Sequence, residues 1–278
     1  MKKIQHIVIS TVLLVAGSLN INAQDLVILH TNDTHSQIEP ETTGKGKGLG
    51  GYERREAYIK SVRGQNKNVI LLDAGDFSQG TPYFTIFRGD VEMELMNALG
   101  YDAACLGNHE FDNGQTELAR RVKSADFPVL CANYEFGENS PLTGIVKPYT
   151  IIEREGKRIG VIGILRNLKG LVSPQNTEGM LFHHPYKIVN ELALELKNKE
   201  KCDLIILLTH VGYDRGQEQN PTDDMLAANS ENVDIIIGGH SHTYITEPNV
   251  VKNKLGKNVI VVTAGEKGEH VGRLDISF

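Results

Sequence analysis

Five apolar runs in this chain each end in a polar cluster drawn from the same few residue types. Residues 103–106 are apolar, Gly107 stops the run, and Asn108, His109, Glu110 and Asp112 follow. The run at 25–30 leads to Asp33 and His35, and the run at 68–72 leads through Gly75 to Asp76. The run at 202–212 ends in His210, and the one at 233–237 leads through Gly238 and Gly239 to His240 and His242. The carboxyl ends of strands are where open α/β sheets bind ligands. One such tip is noise. Five in a single chain predict a fold whose strand ends converge, with the polar groups meeting around a pair of metal ions. Neutral imidazoles and carboxylates suit zinc, manganese or iron rather than calcium.

The spacing inside each tip suggests how the side chains meet. In an extended segment, residues two apart face the same side, so Asp33 and His35 are expected to share one ion, and His240 with His242 to repeat that geometry. His109 and Asp112 are three apart and can pair on a helical turn. Gly107 is expected to supply a sharp turn. Taken alone, Asp33-Thr34-His35 reads better as an Asn-Asp turn with an incidental histidine; recurrence decides the matter. His30 reads as a strand residue and His183 and His184 as surface or capping groups. His270 reads as a surface turn residue, and Glu110 as exposed or as orienting its neighbours.

Helices are expected over 52–62, 89–99, 115–123, 185–199 and 222–229 from their apolar spacing. The face of the second should carry Val91, Leu95, Met96 and Leu99, and that of the fourth Ile188, Val189, Leu192 and Leu196. Further strands are expected over 127–133 and 258–265. A hairpin should join 149–153 to 158–165 around Gly156. Residues 39–51, 134–148 and 166–177 read as irregular connections. Leu274, Ile276 and Phe278 alternate as in a half-buried strand. Strands alternating with helices give the α/β class, and no break in composition divides residues 24–278 into two domains.

The N-terminus reads as a signal peptide over 1–23. Lys2 and Lys3 precede an apolar run at 7–17, and Ala23 offers a cleavage point. The run is short of the roughly 20 apolar residues a spanning helix needs. Export to the periplasm or beyond is therefore expected, with no transmembrane segment remaining. The net charge is −6, which argues against nucleic-acid binding through a basic face. A phosphate-bearing substrate would then need local positive charge, which metal ions supply. The three cysteines, Cys105, Cys131 and Cys202, lie in or beside apolar runs and read as buried thiols, with one disulfide possible.

The series D-x-H, G-D, G-N-H-E, a lone histidine after a long apolar strand, then G-H-S-H resembles the calcineurin-like metallophosphoesterases. The strings at 28–35 and 107–112 are similar to the 5′-nucleotidase family. That resemblance implies a four-layer sandwich, two mixed β-sheets flanked by helices. It implies that Asp33, His35 and His242 hold a first metal, that Asn108, His210 and His240 hold a second, and that Asp76 bridges both. His242 stands where many relatives have glutamine. His109 would act beside the phosphate, with Asp112 orienting it, and Asn108 and His109 would touch the substrate. The implied activity is phosphate release from nucleotides by attack of a metal-bound hydroxide. Phosphodiesterase, nucleotide-sugar hydrolase and sulfur-ester hydrolase activities of the same superfamily, or a non-catalytic metal-binding subunit, are the alternatives. Family members usually continue into a C-terminal nucleoside-binding domain. The sequence stops at Phe278, so that domain is expected to be absent, leaving a separately encoded partner chain or a broad substrate range.

Overall fold

Side-chain alternation along the apolar runs sorts them into sheets with two distinct faces. The computed structural model describes residues 26–213 and 216–278; the expected signal segment lies outside the described residues. The first part of the chain runs β1 (Leu26–Thr31), α1 (Tyr52–Gln65), β2 (Val69–Asp73), α2 (Pro82–Phe87), α3 (Asp90–Leu99), β3 (Ala103–Cys105), α4 (Gly114–Ser124) and β4 (Val129–Leu130). It continues as β5 (Tyr134–Phe136), β6 (Tyr149–Arg154), β7 (Lys157–Leu165), β8 (Met180–Phe182), α5 (Pro185–Asn198), β9 (Leu204–His210) and α6 (Asp223–Asn229). It closes with β10 (Ile235–Gly238), β11 (Asn249–Lys252), β12 (Asn258–Val262) and β13 (Gly272–Ile276).

A five-stranded sheet has the order β13-β1-β2-β3-β4, parallel except for β13. A six-stranded sheet has the order β11-β12-β10-β9-β7-β6, with antiparallel β11 and β6 at its edges. Both sheets are mixed. A short antiparallel pair, β5 with β8, was not expected from the sequence.

The period of two in β1 sends Leu26 and Ile28 between the sheets and Val27 and Leu29 toward the helices. Ile70 and Leu72 of β2 meet Ile206 and Leu208 of β9 in the same middle layer. Outside the first sheet, Ile59 and Val62 of α1, Met96 of α3 and Leu118 of α4 pack on Leu29 and Leu71. Outside the second, Val189 and Leu196 of α5 and Leu226 of α6 pack on Ile205 and Ile236. The layers are therefore helix, sheet, sheet, helix. Each fully buried Leu or Ile contributes roughly 1.5–3 kcal/mol, so the middle layer readily outweighs local strain at the strand tips.

Several local expectations change. The buried face of α3 carries Glu92, Met93, Met96 and Leu99, whereas Val91 and Leu95 are only half-buried. In α5, Ala193 is buried with Val189 and Leu196, while Ile188 is only half-buried. The strand expected over 127–133 shrinks to Val129–Leu130. Beyond it the Cys131 amide donates to Lys147 O and the Ala132 amide to Gly163 O, which carries the chain from one sheet to the other. The cysteines are all free and buried, and no described helix is long and apolar enough to cross a membrane.

Candidate metal centre

Parallel pairing sets the strand tips level. Thr31 lies beside Asp73, Leu165 beside His210, and Thr209 beside Gly238. The polar residues just past these positions therefore share one rim. Two groups of potential ligand atoms form there, Asp33 with His35 and His242, and Asp76 with His210 and His240, each spanning no more than 4.8 Å. In the first, His35 Nε2 and His242 Nε2 are 3.0 Å apart, and Asp33 Oδ1 lies 3.4 Å from His242 Nε2. In the second, His210 Nε2 lies 3.0 Å from Asp76 Oδ2, and Asn108 Oδ1 lies 2.9 Å from His240 Nδ1. Asp33 Oδ1 is also 3.8 Å from His210 Nε2, which joins the groups. His109 stands at the edge, with its ring centroid 5.4 Å from that of His35 and its Nδ1 2.8 Å from Asp112 Oδ2.

The residues meet, but not by extended alternation. Asp33 and His35 have φ of 49° and 46°, Asp76 53°, and His240 and His242 80° and 54°. These are left-handed conformations, each costing about 1–3 kcal/mol for a non-glycine residue. The tips curl, so His240 and His242 point into different groups instead of the same one. Gly107 also serves another purpose than expected. Its φ is not positive; a Cβ there would lie 2.2 Å from Asp76 Oδ1. At Gly239 a Cβ would lie 2.8 Å from His210 Nδ1 and 3.0 Å from Asp33 Oδ2. Glycine is required at both places because the polar groups crowd the backbone.

Hydrogen bonds orient the rings. His210 Nδ1 donates to Ala74 O at 2.7 Å, which turns Nε2 toward the centre. His242 Nδ1 is 3.0 Å from Glu266 Oε2, leaving its Nε2 facing His35. The His240 amide donates to both carboxylate oxygens of Asp33. The buried Glu110 carboxylate accepts from the amides of Gly107, Asp76 and Ser78 at 2.7, 2.9 and 3.1 Å. Arg121 in turn donates to Glu110 O and Ser78 Oγ. Glu110 is therefore an organiser of the Asp76 turn, not an exposed group. Glu266 was missed altogether. It lies far from His242 in sequence, and no local pattern marks it.

The donor set fits divalent cations. His210 Nε2 is buried without a well-directed hydrogen-bond partner among the described residues. Burial pushes His35 down and His240 down to about 4, which keeps both rings neutral and able to ligate. Burial opposes charge on His210, but Asp76 and Asp33 outweigh it and raise its pKa, while Asp76 is held below the usual carboxylate range by His210 despite burial. His242 is raised, first by its hydrogen bond to Asp33. With its pKa pushed up to about 10 by those carboxylates, His210 still carries its proton at neutral pH, so a metal must displace it. Metal affinity should therefore increase as pH rises through and above the ordinary histidine range, with proton release. Titration calorimetry in buffers of different ionisation enthalpy measures this; metal uptake without proton release would contradict it.

The calcineurin-like phosphoesterase family profile matches residues 26–244. The chain belongs to that family. It is 34% identical over 275 residues to the probable 5′-nucleotidase of Treponema pallidum, covering 91% of this chain and 45% of that protein. It is 30% identical to the trifunctional nucleotide phosphoesterase protein YfkN of Bacillus subtilis, covering 91% of this chain and 18% of that one. The crystal structure of the 5′-nucleotidase precursor from Thermus thermophilus superposes with a TM-score of 0.81 at 36% identity, covering 91% of this chain and 51% of that one. This chain thus spans about half or less of the length of these relatives.

Proposed function

We propose that this chain is a metal-dependent phosphoric ester hydrolase that uses two divalent ions and releases phosphate from nucleotides. The observation that carries this is the meeting of two ligand groups beside the His109–Asp112 pair. Asp33, His35 and His242 would hold one ion, and Asn108, His210 and His240 the other, with Asp76 shared. When bound, two such ions neutralise phosphoryl charge and make water more acidic. The protein's own groups do the rest. The Asp112 hydrogen bond, opposed by burial, raises the His109 pKa, which favours the protonated ring, whose other nitrogen, Nε2, would donate to a phosphate or leaving oxygen. The His109 amide donates to Asp76 Oδ1 at 2.8 Å, which fixes the acid relative to the ligands. Asn108, next to it, would touch the same oxygens.

Nucleotides as substrates rest on the names of the relatives. Export rests on Lys2, Lys3 and the apolar run at 7–17. Phosphate release from AMP, UDP-glucose and p-nitrophenyl phosphate, with metal analysis on the same sample, tests the reading. AMP should be hydrolysed by metal-loaded protein. Preference for UDP-glucose would make the protein a nucleotide-sugar hydrolase, and no hydrolysis of any of the three would contradict an enzymatic role.

A further inference from the structure

Arg166 follows directly on β7, at the same rim as the ligand groups. Its amide donates to His210 O at 3.1 Å, so its backbone abuts a proposed ligand residue. Its carbonyl accepts from the Tyr134 hydroxyl at 3.1 Å, and the same hydroxyl accepts from the Leu168 amide at 2.8 Å. The start of this connection is thus fixed from both sides. The side chain and His240 both flank Gly212: a Cβ there would be 3.5 Å from His240 Cδ2 and 3.8 Å from one guanidinium nitrogen of Arg166. Both groups therefore stand within 4 Å of one point.

Arg166 is half-buried. One nitrogen donates to Val211 O at 2.8 Å, one bond of the five N–H donors a guanidinium carries. No carboxylate among the described residues forms an ion pair with it, unlike Arg120, Arg154, Arg158 and Arg273. Among the described residues, then, Arg166 has no carboxylate partner that would account for its place at this rim. Its nearness disfavours charge on His240. A guanidinium fork is, however, well matched to phosphate oxygens.

Resting on the hydrolase reading above, we propose that Arg166 is a substrate-binding residue that holds phosphate oxygens at the His240 side of the centre. His109 borders the other group through His35, so the two side chains would bracket the anion. This places a phosphate-recognising charge in a region that sequence reading treated as an irregular connection.

The test is binding of inorganic phosphate to the metal-loaded full chain, followed by calorimetry, together with steady-state kinetics on AMP. Arg166→Ala should weaken phosphate binding roughly tenfold to a hundredfold, the size expected for losing a charge-assisted hydrogen bond. KM for AMP should rise by a similar factor, with kcat changed far less and metal content equal to wild type. Arg166→Lys should fall between the two, since it keeps the charge and loses the fork, and it serves as the reading if the alanine variant does not fold. Phosphate affinity within about twofold of wild type in both variants would overturn the proposal, as would loss of metal matching the loss of phosphate binding. If wild type binds phosphate through Arg166 but hydrolyses no ester, the hydrolase reading fails and this one stands.

Discussion

Asp76→Ala is expected to empty the centre of both metal ions and abolish phosphoester hydrolysis. Asp76 is 2% exposed. Its carboxylate lies 3.0 Å from His210 Nε2 and also accepts the His109 amide. Removing it would take away the proposed shared ligand, leave His210 with less opposing charge, and free the turn that carries His109. Metal ions supply several kcal/mol of transition-state charge stabilisation, so the rate loss should be roughly a thousandfold or more. Metal content should fall below one ion per chain. A variant that retains both ions would contradict the shared role, whatever its activity.

His109→Ala separates chemistry from metal binding. His109 touches Asp112 and borders His35, but neither ligand group contains it. Turnover should fall by about 10²–10⁴, the usual size of a general-acid contribution, while metal content stays as in wild type. Loss of metal would instead make it a ligand. The pH dependence carries the same information. Asp112 raises the His109 pKa through its hydrogen bond, so activity that needs the protonated ring persists to higher pH and is lost as pH rises through that value. Asp112→Asn removes the cause and should move the alkaline limb of kcat to lower pH. A limb that stays in place would assign it to another group.

The residues of the centre were legible because the chain repeats one device, an apolar strand delivering polar groups at its carboxyl end. His210 is the clearest case, since the strand before it is unbroken and wholly buried. The geometry was less legible. Asp33, His35, His240 and His242 looked like same-side pairs on extended backbone, whereas left-handed turns aim them. A triplet such as Asp33-Thr34-His35 does not announce its φ, because the curl is imposed by contacts with distant chain, such as the Asp33 and His35 amides donating to Gly75 O and Asp76 O. Glu266 was obscure for the same reason, and of the two readings of Glu110 the orienting one held: Glu110 serves three amides and Glu266 one imidazole, all fixed by tertiary packing. Strand β4 was overestimated because residues 131 and 132 are apolar enough for a strand but bond elsewhere.

Anomalous diffraction from crystals loaded with manganese tests the central claim most directly. The account predicts two peaks about 3.5–4 Å apart, one bordered by Asp33, His35 and His242 and the other by Asn108, His210 and His240, with Asp76 between them. A single peak, or peaks away from these side chains, would contradict it.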